Sequence, residues 1–171
     1  MGGVLIRSCD VYQQLGIDLP DWIRRTQGFS NDVTAYEQLR DQAYEEMARL
    51  LEKSLAFGAG LVIVDAVHGE RAKRQVIFEV CWTHRARPLL LWCRCDDPRE
   101  TERRIVARRG REIEPEHEAS DMCVFQHISG LWEDPSEDVP IAIYDTCSLT
   151  FAWRGPAGTA IADMIRSGLR G

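Results

Sequence analysis

The stretch Leu61-Val62-Ile63-Val64-Asp65 decides the fold class. An unbroken apolar run rich in β-branched residues reads as a strand buried on both faces, and the carboxylate that ends it marks where the chain leaves the core. Working outward, Val4–Ser8 is a similar run that gives way to a polar loop at Asp10. Leu89–Cys95, introduced by Pro88, ends at Asp96-Asp97, and Ile141–Tyr144 ends at Asp145-Thr146. Helical patterns fill the gaps. Tyr36, Leu39, Ala43, Met47, Leu50, Leu51 and Leu55 recur at helical spacing, with Ser30 or Asn31 as cap and Gly58-Ala59-Gly60 as the stop. Val76, Ile77, Val80 and Cys81 share a face of a helix over Glu70–Thr83, Pro98 opens a very polar helix through Arg109, and Asp121–Trp132 reads as helical. Strands alternating with helices define an α/β protein on a parallel sheet. Ligands in such sheets bind beyond the carboxyl ends of the strands, where Asp10, Asp65, Asp96 and Asp145 all fall.

A length of 171 residues fits one domain over 1–171. With 44% hydrophobic and 28% charged residues, the composition is that of an ordinary globular domain. No apolar run is long enough for a membrane span, and Met1-Gly-Gly-Val-Leu-Ile-Arg-Ser8 lacks the pattern of a signal peptide. The expectation is a cytoplasmic chain whose cysteines, Cys9, Cys81, Cys93, Cys95, Cys123 and Cys147, stay reduced. A net charge of −6 argues against nucleic acid as the partner. Cys93-x-Cys95 has the wrong spacing for a zinc knuckle, and both residues read as buried strand cysteines. The histidines show no metal-ligand spacing, so no protein-held metal site is expected, and His68 reads as a satisfied loop residue.

Two features bear on chemistry. Asp10 and Asp65 follow two of the strands; if those strands are neighbours, both carboxylates face one cleft, where one could orient and deprotonate a hydroxyl and the other hold Mg²⁺ or a water. The competing reading is that each caps its own turn. Arg103, Arg104, Arg108, Arg109 and Arg111 crowd together in an otherwise acidic chain. Guanidinium groups match phosphate oxygens in bidentate geometry, so this patch is a candidate phosphate site. The competing reading is a solvated helix whose arginines pair with Glu100, Glu102, Glu112 and Glu114 at helical spacing.

The order of these pieces resembles the small P-loop kinases of the AAA-domain type, the group of the phage polynucleotide kinase domain and the zeta toxins. The resemblance is carried by Val4–Gly16, by Gly60–Val67, by Leu89–Pro98 with Arg104–Gly110, and by Ile141–Thr146. It implies a three-layer sandwich around a parallel sheet, and ATP and Mg²⁺ as cofactors. Asp10 would activate the acceptor hydroxyl, Asp65 would lie near metal and acceptor, and Arg104, Arg108 and Arg109 would bind phosphate. Two departures stand out. Gln13 occupies a position where the family commonly has arginine, and no Gly-Lys dipeptide occurs anywhere, so the family's first strand and phosphate loop have no counterpart. That strand lies in the middle of the family's sheet, and its removal would leave two half-sheets with bare edges.

The C-terminus offers a replacement: a strand over Ser148–Trp153, a turn over Arg154–Thr159 and a helix over Ala160–Leu169. The plainer expectation is an additional C-terminal strand and helix. The alternative is a circularly permuted sheet with a degenerate phosphate loop at Gly155, Gly158 and Thr159. A central position for the Leu149–Trp153 strand would favour permutation, and an edge position would exclude it. The resemblance thus implies kinase ancestry more strongly than kinase activity. The chain is expected to transfer the ATP γ-phosphoryl group to a hydroxyl, to be a non-catalytic module binding a small or phosphorylated ligand, or to be part of a longer kinase. Bare sheet edges would suit a homodimer or a partner chain.

Overall fold

The computed structural model describes residues 3–17, 33–109, 125–136 and 139–154. The protein is mixed α/β, and its strands form two sheets in two compact units. The first unit comprises Met1–Ala86 with Glu112–Glu133, and the second Arg87–Arg111 with Asp134–Gly171.

In the first unit, β1 (Gly3–Arg7) runs directly into the short helix α1 (Ser8–Gln14). The polar loop expected at Asp10 is therefore the first turn of a helix. The long helix α2 (Val33–Ala56) follows, then β2 (Leu61–Asp65) and α3 (Arg71–Thr83). Strands β1 and β2 pair in parallel, with Gly3 opposite Leu61 and Arg7 opposite Asp65. Helix α2 buries Ala43, Met47 and Leu51 against Ile6, Val11, Ile77 and Cys81, with Val4, Val62 and Val64 packed at the margin. The end of α2 is fixed by Gly58 at φ 79°, which lets Gly58 N–H reach Leu55 O (3.0 Å) and Ala59 N–H reach Ser54 O (3.0 Å). The expectation that both faces of this sheet are buried is corrected. The alternating side chains Leu5, Leu61 and Ile63 are half exposed or more, because the core forms on the face that carries Val4, Ile6, Val62 and Val64.

In the second unit, β3 (Leu90–Arg94), α4 (Pro98–Arg109), β4 (Ile141–Asp145) and β5 (Thr150–Arg154) follow in order. Strand β4 is central: it pairs in parallel with β3 and antiparallel with β5, and it buries Ile141 and Ala142. Across the hairpin, Tyr144 stacks on its register partner Phe151 at 4.5 Å. Permutation is overturned: the C-terminal strand is the antiparallel edge of this sheet. Its partner is β4, reached by a tight turn with Leu149 at φ 57°, and that short hairpin cannot place β5 centrally. Gly155, Gly158 and Thr159 lie outside the described residues. Cys93 is also corrected, since it is exposed, and Cys95 is half-buried just past the strand end.

Helix α4 begins as expected at Pro98, and Asp97 is its cap. The Asp97 carboxylate accepts from Arg99 N–H at 2.9 Å and Glu100 N–H at 3.4 Å. Asp97→Ala is expected to lower stability by about 1 kcal/mol, read as a shifted urea midpoint, and an unchanged midpoint would discount the cap.

Candidate functional site

The carboxyl ends of β1 and β2 bring Asp10 and Asp65 to one end of the first unit. Register sets Arg7 directly beside Asp65, and the α1 turn swings Asp10 back over the same arginine. Arg7 Nε donates to Asp10 Oδ2 at 2.9 Å and its Nη2 donates to Oδ1 at 3.0 Å. These hydrogen bonds hold the Asp10 carboxyl below the usual carboxylate range and, with the Asp10 charge, push the Arg7 guanidinium up. Asp10 is thus an anion at neutral pH with both oxygens already accepting. It can orient a ligand hydroxyl, but a depressed carboxylate is a weak proton acceptor.

The loop after β2, residues 66–70, is clamped from several sides. Arg74 of α3 is buried, and its Nη1 donates to His68 O and Gly69 O, both at 2.8 Å. The Tyr44 hydroxyl donates to Val67 O, and Arg40, also buried, pairs with Glu70 and with Glu37 (2.7 Å). His127 Nε2 meets Glu37 Oε1 at 2.8 Å. Glu133 N–H donates to Gly69 O at 2.9 Å, and Gly69 leaves room for the Trp132 ring, which a Cβ would meet at 3.4 Å. His68 stands edge-on to the Tyr44 ring at 5.4 Å. Burial, and then the Arg74 charge, pushes its imidazole down to about 4. Its Nδ1 is buried without a hydrogen-bond partner, so the reading of a satisfied loop histidine is corrected at that nitrogen. His68 stays neutral at pH 7 and does not act there as an acid.

The other strand-end aspartates serve their own turns. Asp96 pairs with Arg94 at 2.8 Å, and Asp145 accepts from Cys147 N–H (2.8 Å) and Ser148 N–H (3.2 Å). In the second unit each nitrogen of the Arg104 guanidinium donates once. Its Nε donates to Glu100 Oε1 at 2.7 Å, its Nη1 to the Thr146 hydroxyl at 2.7 Å, and its Nη2 to Thr146 O at 2.8 Å. Arg103 takes both oxygens of Glu100, at 2.6 and 2.7 Å, and the two arginines push Glu100 down to about 2. The helix-paired reading therefore describes Arg103 and Arg104. Arg108 and Arg109 lie in α4, but their side chains fall outside the described residues.

The described phosphate candidate, Arg104, donates three N–H groups to Thr146 and Glu100, and among the described residues no group of three His, Cys, Asp or Glu side chains could hold a metal. An apolar concavity lined by Val4, Leu50, Lys53, Ser54, Phe57, Gly58 and Ala59 lies at the amino end of β1, away from Asp10 and Asp65. The clamp residues Arg40 and Arg74 were not singled out by the sequence reading, although each carries a signal. Arg74 shares helical spacing with buried Ile77, Phe78 and Cys81, and Arg40 with buried Tyr36, Ala43, Tyr44 and Met47. An arginine on an apolar helix face is one whose head must find buried partners. Comparison with protein-family models and with curated proteins gives no match. Among the described residues, no helix is long and apolar enough to cross a membrane.

Proposed function

We propose that the chain is a P-loop-kinase-like module that binds a hydroxyl-bearing ligand at the carboxyl ends of β1 and β2 and does not itself carry out ATP-dependent phosphoryl transfer. The observation that carries this reading is the register of Arg7 on Asp65 with Asp10 folded back onto the same guanidinium. Asp10, paired with Arg7, and Asp65, opposite Arg7 in register, offer acceptors to ligand hydroxyls, and the remaining Arg7 N–H groups offer donors to a ligand oxygen. Support for kinase ancestry comes from the strand pairs. A parallel sheet without its central strand leaves a β1–β2 pair and a β3–β4 pair, which are the two parallel pairs observed. The clamped 66–70 loop gives Asp65 a rigid neighbour, which favours binding by a preorganised end.

The test is calorimetric titration of the chain with Mg²⁺-ATP, alongside thermal-shift screening of neutral sugars and nucleosides against the unaltered protein and Asp65→Asn. No heat with Mg²⁺-ATP is expected. A hydroxyl-rich ligand should stabilise the unaltered protein and bind Asp65→Asn at least about tenfold more weakly, a difference of about 1.4 kcal/mol. Micromolar Mg²⁺-ATP binding would overturn the non-catalytic reading. Equal binding by the variant would overturn the site.

A further inference from the structure

The carboxyl ends of β3 and β4 bring two cysteines together. Register sets Arg94 beside Asp145, so Cys95 and Cys147 leave the ends of neighbouring parallel strands. Thr146 ties the ends to each other: its N–H and its hydroxyl both donate to Arg94 O, each at 2.9 Å. The Asp145 carboxylate holds Cys147 N–H at 2.8 Å, which fixes the turn that carries the second sulfur. The Thr146 contact sets Cys95, one residue past Arg94, and Cys147, one residue past Thr146, at the same end of the sheet. Cys95 Sγ also lies 3.6 Å from Asp97 O and beside the Thr101 hydroxyl. Arg104, pinned on Thr146, places its positive charge next to both sulfurs. Cys147 is exposed and Cys95 is half-buried, so a small reagent reaches the pair.

We propose that Cys95 and Cys147 form a redox dithiol that a small hydroperoxide closes to an intramolecular disulfide. The hydrogen bonds from Cys147 and Thr101, aided by the Arg104 charge, lower the Cys95 thiol below its usual range, while the same contact raises Cys147. Within the proposed pair Cys147 resolves and the attacking sulfur is Cys95. Its thiolate attacks the terminal peroxide oxygen, an S–O bond forms, the O–O bond breaks, and the alkoxide or hydroxide leaves and takes a proton. The Cys147 sulfur then attacks the sulfenic sulfur of Cys95. The S–S bond forms, the S–O bond breaks, and water leaves with the Cys147 proton. Two thiols lose two electrons, and one peroxide is reduced to one alcohol and one water. Of the other three described cysteines, Cys81 is buried, Cys93 is exposed within β3, and Cys9 stands 3.6 Å from the Asp10 carboxylate, with no paired sulfur described beside it.

The test treats the full chain with hydrogen peroxide and maps an unreduced digest by mass spectrometry. A linked Cys95–Cys147 peptide pair, lighter by two hydrogens and separated by dithiothreitol, is expected. In Cys147→Ser the reaction should stop at a dimedone-trappable sulfenic acid on Cys95, and in Cys95→Ser peroxide consumption should slow at least about tenfold. A second measurement needs no variant. Phenylarsine oxide bridges two close thiols with loss of water, so one equivalent should give an adduct spanning Cys95 and Cys147. Unlinked over-oxidised cysteines, or cross-links led by Cys9 or Cys93, would overturn the proposal, as would an arsenical that fails to span the pair.

Discussion

Replacing Arg74 by methionine is expected to cost about 3 kcal/mol of stability and to open residues 66–70 ahead of the rest of their unit. Methionine keeps most of the buried stem and removes the head. The His68 and Gly69 carbonyls, each 2.8 Å from Arg74 Nη1, then lose a charged donor inside the protein. An unpaired buried carbonyl costs about 1–3 kcal/mol; Gly69 O keeps Glu133 N–H, so the unpaired His68 carbonyl and the loss of two charge-assisted hydrogen bonds set the estimate. Against a typical domain stability of about 5–15 kcal/mol, such a loss is easily read in a urea midpoint. Native-state hydrogen exchange supplies the local half of the test. The amides of His68, Gly69 and Glu70 should lose protection before those of α2. Arg74→Lys, which keeps the charge but not the fork, should recover part of the loss. A cost below about 1 kcal/mol for the methionine variant would mean that Tyr44 and Glu133 hold the loop without Arg74.

The strands were legible because each is an apolar run punctuated by a change of chemistry. Leu61–Asp65, Leu90–Arg94 and Ile141–Asp145 fall within a residue of their expected places, and Pro98 opens its helix. What the runs could not reveal is which neighbour each strand takes. Val4–Ile6 and Leu61–Val64 read as buried on both faces because every residue is apolar. Only the packing of α2 on one side shows that Leu5, Leu61 and Ile63 remain outside. The C-terminal strand was equally visible, but its direction is a property of the turn. A short connection with Leu149 in the left-handed region makes an antiparallel hairpin, and no hydrophobic pattern records that.

The candidate site was legible as residue types and not as pairings. Asp10 and Asp65 stood out as strand-end carboxylates, whereas Arg7 looked like an ordinary residue at the end of an apolar run until register set it opposite Asp65 and the α1 turn brought Asp10 onto it. Arg104 stood out for its charge, and the structure spends that charge on Thr146, distant in sequence. The dithiol was hidden for the same reason. Cys95 and Cys147 are linked by the parallel register of β3 and β4, which is a tertiary fact.

Lowering the pH from 7 to 5 is expected to remove about 2 kcal/mol of stability through His68 alone. The ring is enclosed by Tyr44, with the Arg74 charge beside it and the Asp65 charge as the lesser, opposing influence, and its imidazole is pushed down to about 4. An unfolded histidine titrates near about 6.5. Between these values the unfolded chain binds a proton that the folded chain refuses, so stability rises with pH across the interval and is lost as pH falls through it. The full interval of roughly 2.5 units corresponds to about 3 kcal/mol, most of it spent above pH 5. The carboxylates held low by arginine or backbone donors, Asp10, Glu46, Glu100 and Asp145, also lose stabilisation on acidification. Their window opens only near the ordinary carboxylate range of about 4 and below, so the two contributions separate by pH. Urea unfolding at pH 7, 6 and 5 should therefore show a steep fall in the unaltered protein and a much flatter one in His68→Asn. Equal slopes would mean that His68 takes up its proton in the folded state, and that the enclosure by Tyr44 and Arg74 opens at little cost.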